Sequence, residues 1–261
     1  MSNGRSQILS GLPPLRGMLP LVLLLALWQV FGPERSAYFP RPDTWWSALA
    51  VMTRAGRLAP ALSATLVTFG ISLAVACALG AVLGLLLGRV TAARRALDPL
   101  LEFCRGLPPP VIVPVAVLLL GYAQGLKLLV VVWVAIWPIL LNVAAAAGAV
   151  EPVLLEVART FHLSRGATLA KVVAPAVLPA FLLGVRIALP LSIIVTLLVE
   201  MVTMLPGVGS LIVSAQREYR SADVYGLLVL IGVIGFCLNN FFIVIEAAIL
   251  RCFPPPADKS R

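Results

Sequence analysis

Long apolar segments, separated by short polar stretches, are the feature that most restricts how this chain can fold. Six segments have, or nearly have, the length of about 20 residues that an α-helix needs to cross a bilayer core. They cover residues 17–31, 61–88, 97–120, 128–147, 180–204 and 224–250. With 61% hydrophobic and 12% charged residues in 261, the chain has too few polar side chains to coat a water-soluble globule. The sequence therefore predicts an all-α polytopic membrane protein with six transmembrane helices in one domain, residues 17–250.

The basic residues predict the orientation of the chain. The formal net charge is +9, and most Lys and Arg residues fall in short stretches between apolar segments, as the positive-inside rule requires of cytoplasmic loops. Segment 1–16 and the tail 251–261 are both predicted to be cytoplasmic. The first apolar segment is predicted to stay uncleaved, because Trp28, Gln29 and Phe31 stand where a signal peptide has small residues. The charge distribution favours membrane lipid, and not nucleic acid, as the surroundings.

Two patterns predict helices that pack against other helices. Gly80, Gly84 and Gly88 recur at every fourth position, so they share one helix face, where the missing side chains let a neighbouring helix approach closely. The third apolar segment contains the run 107–110, Leu-Pro-Pro-Pro, and then Pro114. Because prolines remove backbone donors, which lipid cannot replace, this interrupted helix is expected to face the protein interior.

Three polar side chains inside the apolar segments are candidates for a solute pathway: Asn142, Arg186 and Glu200. A charge in the bilayer core costs about 3 kcal/mol or more on insertion scales, so Arg186 and Glu200 should face protein or water. Asn142 is expected to bond another helix, with a pathway role as the alternative. Structural ion pairing is also open for Arg186, and its candidate partners are Asp98, Glu102 and Glu246.

Residues 34–57 contain adjacent tryptophans, Trp45 and Trp46, after a Pro-Arg-Pro-Asp-Thr run. Indole rings prefer the headgroup level of a bilayer, so the sequence predicts a capped helix lying there as an anchor.

No pattern typical of a metal or catalytic site occurs. Cys77, Cys104, Cys237 and Cys252 are scattered among apolar segments, and His162 is the only histidine. The phosphate-binding pattern GxxxxGK[ST] is absent from the sequence, so nucleotide is expected to bind elsewhere. The sequence predicts a protein that is not an enzyme and holds no metal or cofactor of its own.

A polar segment, residues 151–179, lies between the fourth and fifth apolar segments. Val153, Leu154, Val157, Ala158 and Phe161 recur at helical spacing, which predicts a short amphipathic helix over residues 154–161. A helix with one apolar side can fit a groove in a partner protein. We therefore expect this segment to be a cytoplasmic surface for another protein.

At these residues the chain resembles a known family. The run EVARTFHLS at 156–164, followed by VVAPAVLP and GVRIA, looks like the EAA loop of permease subunits of bacterial ABC importers, particularly the nitrate, sulfonate and taurine group. YFPRPDTWW, LDPLLEFCRGLPPPVIVP, IWPILLN and VEMVTMLPGVGSLI resemble the same group in the same order. The resemblance implies the type I ABC importer permease fold in the bacterial inner membrane.

The same resemblance implies the roles of the segment and its partners. Residues 151–175 would form a coupling loop that contacts a separate ATP-hydrolysing subunit, which would bind ATP and Mg. The implied coupling residues are Glu156, Val157, Ala158, Arg159, Phe161 and His162. A periplasmic binding protein would deliver the solute, and two permease copies would form a homodimer around the pathway.

The chain departs from the family pattern at three positions in or beside this loop. Val157 replaces the usual Ala, His162 the usual Gly, and Ala174 the usual Leu. The usual Gly permits a sharp turn, so His162 is expected to make that turn with backbone strain or to bend the loop differently.

The implied function is ATP-driven import of a small anion such as nitrate, sulfonate or taurine by alternating access. Relatives that import pyrimidine-type vitamin precursors leave a second solute class open. A secondary transporter or channel working without an ATPase is the other alternative, although the sequence has no convincing internal repeat.

Overall fold

The computed structural model describes residues 19–33, 36 and 38–252, and across these ranges the chain is helical, without strands. The prediction of an all-α protein is confirmed. The helices are α1 (Leu19–Phe31), α2 (Pro42–Arg54), α3 (Leu58–Arg89), α4 (Thr91–Gly106), α5 (Pro109–Leu120), α6 (Gln124–Gly148), α7 (Pro152–Thr160), α8 (Arg165–Thr168), α9 (Ala174–Thr203), α10 (Val208–Arg217) and α11 (Ser221–Cys252). The π-helical segment Leu169–Val173 joins α8 to α9. The predicted cytoplasmic segment 1–16 lies outside the described residues, as do residues 253–261 of the predicted tail 251–261, whose first two residues end α11.

Four helical runs in the described residues are long and apolar enough to span a membrane: α3, α6, the continuous run Arg165–Thr203, and α11. The pair α4–α5 would make a fifth, and α1 is an apolar helix of 13 described residues. The chain is therefore polytopic, and the count of six spans stays a prediction.

The helix break predicted in the third apolar segment lies between α4 and α5, which are bent by 96° relative to each other. Leu107 and Pro108 are extended, and Pro109 starts α5 at a position where its missing N–H has no helical partner to lose. The expectation that Pro114 would also interrupt the helix is wrong, because this residue lies inside α5.

The centre of the protein is the packing of α3 and α9 against α6. A buried apolar cluster from all three helices includes Ala76, Ile139, Val143 and Val185. A Cβ added at Gly80 would lie 2.9 Å from Ile139, and one added at Gly84 would lie 2.7 Å from Val143. A Cβ at Gly88 would lie 2.5 Å from the carbonyl oxygen of Ala144. The three glycines thus line the closest approach of α3 to α6.

The two tryptophans of α2 have different surroundings. Trp46 is 78% exposed, as expected of an anchor, but Trp45 is 7% exposed. The Trp45 ring stacks on Tyr225 of α11 at 5.3 Å and meets Trp28 of α1 edge-on at 5.2 Å. The prediction that both rings anchor the helix at the headgroup level is therefore wrong for Trp45, which joins three helices. The N-cap residue Arg41 makes no side-chain cap, and the N–H of Asp43 in the first turn donates instead to the Gln29 side chain of α1 at 3.1 Å.

Candidate functional site

The polar segment after α6 contains a short helix, α7, that begins two residues earlier than predicted. Glu151 is the N-cap, and Pro152 occupies the first turn, where its fixed φ favours helix initiation. The helix ends at Thr160, and Phe161 is its C-cap.

His162 ends α7 through a left-handed backbone turn with φ +51°. Its N–H donates to the carbonyl of Arg159 at 2.9 Å, and the N–H of Leu163 donates to the carbonyl of Ala158 at 3.0 Å. This pair of bonds is the Schellman motif, in which glycine is the favoured residue at the left-handed position. Of the two alternatives that the sequence left open for His162, a strained turn or a different bend of the loop, the structure has the strained turn.

Replacing His162 with Gly is expected to stabilise the end of α7 by about 1 kcal/mol, because a left-handed conformation costs a non-glycine residue roughly that much. Amide hydrogen exchange at residues 161–163 should slow by about fivefold, because about 1 kcal/mol corresponds to a factor of about five in the exchange rate. The control is Thr160→Gly inside the helix, which should speed exchange. Equal or faster exchange in His162→Gly would show that the histidine side chain stabilises the turn.

The outward side of α7 is a mixed apolar and charged surface, defined by Val153, Val157 and Phe161 with Glu156 and Arg159. The apolar members are 61%, 46% and 75% exposed, respectively. Glu156 and Arg159 are also exposed. We call these five residues the α7 surface.

The opposite side of α7 is fixed to the protein. Ala158 is 2% exposed, and Leu155 packs against the core cluster that contains Val173 and Val177. Of the predicted coupling residues, Ala158 therefore faces inward, whereas His162 is exposed at the turn.

The second half of the segment is continuous with a membrane helix. The Ser164 hydroxyl accepts a hydrogen bond from the N–H of Ala167 at 3.2 Å and caps α8. The run then passes through the π-helical segment into α9 without a break at residue 175. The α7 surface is thus joined, through one turn, to a helix that crosses the protein.

A buried polar cluster lies at the other end of α9. The Lys127 ammonium of α6 is 3.1 Å from the Glu200 carboxylate of α9, and both side chains are fully buried. The Thr65 hydroxyl of α3 donates to the same carboxylate at 2.9 Å. The Gly209 N–H donates to it at 3.0 Å, and Lys127 donates to the Pro206 carbonyl at 2.8 Å. We call Thr65, Lys127 and Glu200 the buried ion cluster.

The loop before α10 is shaped around this cluster. A Cβ at Gly207 would lie 2.0 Å from the Glu200 side chain, and one at Gly209 would lie 2.4 Å from the Leu197 carbonyl oxygen. Only a residue without a side chain therefore fits at either position. The polar stretch between the fifth and sixth apolar segments contains the helix α10.

The other two pathway candidates lie apart from this cluster. Arg186 is 3.7 Å from Glu246 of α11, so one of its three predicted partners is the partner observed. The Asn142 amide donates to the Pro138 carbonyl of its own helix at 2.7 Å and lines a cavity of about 630 Å³. Of the three candidates, Glu200 alone is completely enclosed.

Sequence reasoning missed Lys127, which stood in a turn-like GYAQGLK stretch and was not connected with Glu200. The only signal available was a lone lysine at the start of an apolar segment, where a charge either reaches the membrane surface or pairs with an acid. Among the described residues there is no group of three or more His, Cys, Asp or Glu side chains that could hold a metal.

Comparison with known proteins agrees with this architecture. Residues 76–251 match the family described as binding-protein-dependent transport system inner membrane component. A protein of Synechococcus elongatus named bicarbonate transport system permease protein CmpB is 29% identical over 91% of this chain and 89% of its own length. The nitrate import permease protein NrtB of a Synechocystis species is 26% identical over 90% and 89%. A Bacillus subtilis protein, provisionally named aliphatic sulfonates transport permease protein SsuC, is 25% identical over 91% and 87%.

The matched family covers two-thirds of the chain, from the middle of α3 to the end of α11, and includes the α7 surface and the Glu200 and Lys127 side chains. The chain belongs to the family of binding-protein-dependent transport system inner membrane components.

Proposed function

We propose that this chain is the permease subunit of an ATP-driven importer that carries a small anion into a bacterial cell. The observation that carries the proposal is the exposed α7 surface, joined through one turn to the helical run that continues into α9. Three of its members are large apolar side chains that water disfavours, and two carry charge. A helix of this kind suits a groove in a partner protein.

The proposed partner at the α7 surface is a separate subunit that binds ATP and Mg and hydrolyses the nucleotide. The resemblance of residues 156–164 to the EAA loop supports this assignment, with Glu156, Val157, Arg159, Phe161 and His162 nearest the partner. Closure of two such subunits would move two α7 helices together. The permease itself would form and break no covalent bond.

The remaining partners follow from the same proposal. A periplasmic binding protein would deliver the solute, and a second copy of the chain would complete the pathway. In this arrangement residues 151–175 and both termini are cytoplasmic. The positive-inside tendency supports that orientation modestly, because Arg35, Arg41, Arg54 and Arg57 fall on the outer side.

A small anion is the proposed solute because the relatives named above carry bicarbonate, nitrate or aliphatic sulfonates in their names. Asn142 and Arg186 are proposed to border the pathway. The enclosed Glu200 carboxylate is proposed to act through structure, by fixing the loop before α10.

Replacing Glu156 with Lys is expected to reduce ATP-dependent uptake at least tenfold, because it reverses a charge on the α7 surface without touching a buried contact. Phe161→Ala should weaken capture of the ATP-hydrolysing subunit by a similar factor, since buried aromatic anchors commonly contribute about 2 kcal/mol or more at interfaces. The measurement is co-purification in mild detergent, followed by uptake into proteoliposomes with the binding protein.

Phe31→Ala is the matched control, because Phe31 is 80% exposed and Phe161 is 75% exposed, but Phe31 ends α1. This variant should keep both capture and uptake. Normal uptake by Glu156→Lys and Phe161→Ala would refute the coupling role. Uptake by the chain alone, without ATP, would instead support the secondary-transporter alternative.

A further inference from the structure

An ion pair lies at the bend between α4 and α5, and the proposed function assigns it no role. The Arg105 guanidinium contacts both carboxylate oxygens of Glu102, with Nη2 at 2.8 and 2.6 Å and Nε at 3.0 Å. Both side chains are partly exposed, at 46% and 66%. Such a two-pronged contact is the strongest geometry available to an arginine and a planar anion.

The pair lines a cavity that is open to the surface and that also includes residues of α6 and α9. The cavity, of about 630 Å³, is bounded by the end of α4, the middle of α6 and the middle of α9. Asn142 and Trp137 contribute to the α6 wall, and Leu191 belongs to the mostly apolar remainder. Charges beside such a wall interact more strongly than charges in open water.

The chemistry of Arg105 fits the solute class proposed above. A guanidinium presents donors in a fixed fork that matches two oxygens of a carboxylate, and bicarbonate, nitrate and sulfonate offer oxygens at similar separations. Glu102 occupies the place that such an anion would take. An unopposed arginine would hold the anion tightly, whereas transport requires binding weak enough for release.

We propose that Arg105 is an anion-binding residue of the pathway and that Glu102 competes with the solute for the Arg105 guanidinium. This proposal rests on the proposed anion importer. The arriving anion displaces the Glu102 carboxylate from the guanidinium. The carboxylate then returns and releases the anion toward the cytoplasm. Arg105 thus determines the charge class of the solute, and Glu102 keeps the affinity of Arg105 for the anion low.

A second ion pair on the same helix supplies a matched control. Arg94 and Asp98 of α4 are 3.9 Å apart and are 47% and 55% exposed, close to the values of the first pair. Neither is among the residues that line the cavity. Exposed pairs of this kind contribute about 0–1 kcal/mol to stability, so removing either one should leave the protein folded.

The experiment uses the complete complex in proteoliposomes, with nitrate, bicarbonate and ethanesulfonate as the probes. Arg105→Gln should reduce uptake of the carried anion at least tenfold, while ATP hydrolysis stimulated by the binding protein stays within twofold. Arg105→Lys, which keeps the charge but loses the fork, should restore part of the uptake. Arg94→Gln and Asp98→Asn should remain within twofold of the unmodified complex.

Glu102→Gln should raise the affinity of the site for the anion. In this variant the carboxylate that competes with the solute is neutral. The concentration of nitrate inside the vesicles that inhibits uptake by half should therefore be at least fivefold lower than in the unmodified complex. Normal uptake by Arg105→Gln, equal losses in Arg105→Gln and Arg94→Gln, or no change in inhibition with Glu102→Gln would overturn the proposal.

Two further outcomes separate this inference from the proposed function. ATP-driven uptake of a neutral pyrimidine, with no anion carried, would overturn the anion site and leave the importer in place. Anion uptake without ATP would overturn the importer, and the ratio of uptake between Arg105→Gln and unmodified protein would still decide the role of Arg105.

Discussion

Replacing Lys127 with Met is expected to lower the free energy of unfolding by about 3–5 kcal/mol, the range measured when one partner of a buried ion pair is removed. The Glu200 carboxylate would remain fully buried with no cation beside it. Its hydrogen bonds from Thr65 and Gly209 reduce that penalty but supply no compensating charge. The Pro206 carbonyl would also lose its donor.

The measurement is the amount of monodisperse protein that survives a heating series in mild detergent. Adding Glu200→Gln to Lys127→Met should recover more than half of the loss, because the amide oxygen can still accept from Thr65 and Gly209 without carrying charge. Arg94→Gln, which removes one partner of an exposed pair, should cost at most about 1 kcal/mol. If the single and double variants of the cluster were equally unstable, charge burial would not be the cause.

Replacing Gly84 with Leu is the second substitution with a large expected effect, a loss of about 3 kcal/mol or more, at the upper end of the range for overpacked cores. The first added atom would already lie 2.8 Å from the Leu140 carbonyl oxygen and 2.7 Å from Val143. Both contacts belong to α6, so α3 and α6 would have to separate. Recovery of folded protein and ATP-dependent uptake should fall together.

Gly70→Leu is the control on the same helix, because nothing lies within 4 Å of a Cβ added there. This variant should match the unmodified protein in recovery and uptake. Equal damage from both substitutions would mean that α3 tolerates no leucine for reasons of helix propensity or insertion. Normal behaviour of Gly84→Leu would show that α3 and α6 can separate without cost.

Local sequence patterns predicted the parts of this fold that depend on neighbouring residues. The four-residue glycine spacing placed Gly80, Gly84 and Gly88 on one face, and helix geometry alone requires that. The proline run at 107–110 located the break before α5, because consecutive prolines cannot continue a helix. Pro114 did not have the same effect, since one proline inside an apolar helix can be accommodated by its surroundings.

Contacts between distant residues were harder to predict. Lys127 and Glu200 are separated by 73 positions in the sequence, and no local period connects them. Glu246 was one of three acids predicted as possible partners of Arg186, because a charged residue in an apolar segment limits its partners to a few acids. Lys127 lay at the edge of its segment, where a positive charge can also reach the membrane surface, so nothing required a buried partner.

The unbroken run from Arg165 to Thr203 connects the turn after α7 to the buried ion cluster. Its 39 residues extend about 58 Å at the usual rise of about 1.5 Å per residue. The ion pair between Glu200 and Lys127 holds one end against α6, and α7 is joined to the other end through one turn. A tilt of about 5° would move the end at Arg165 by about 5 Å over that length and leave the ion pair almost in place. In the proposed importer, such a movement would open the inner end of the pathway and leave its outer end shut.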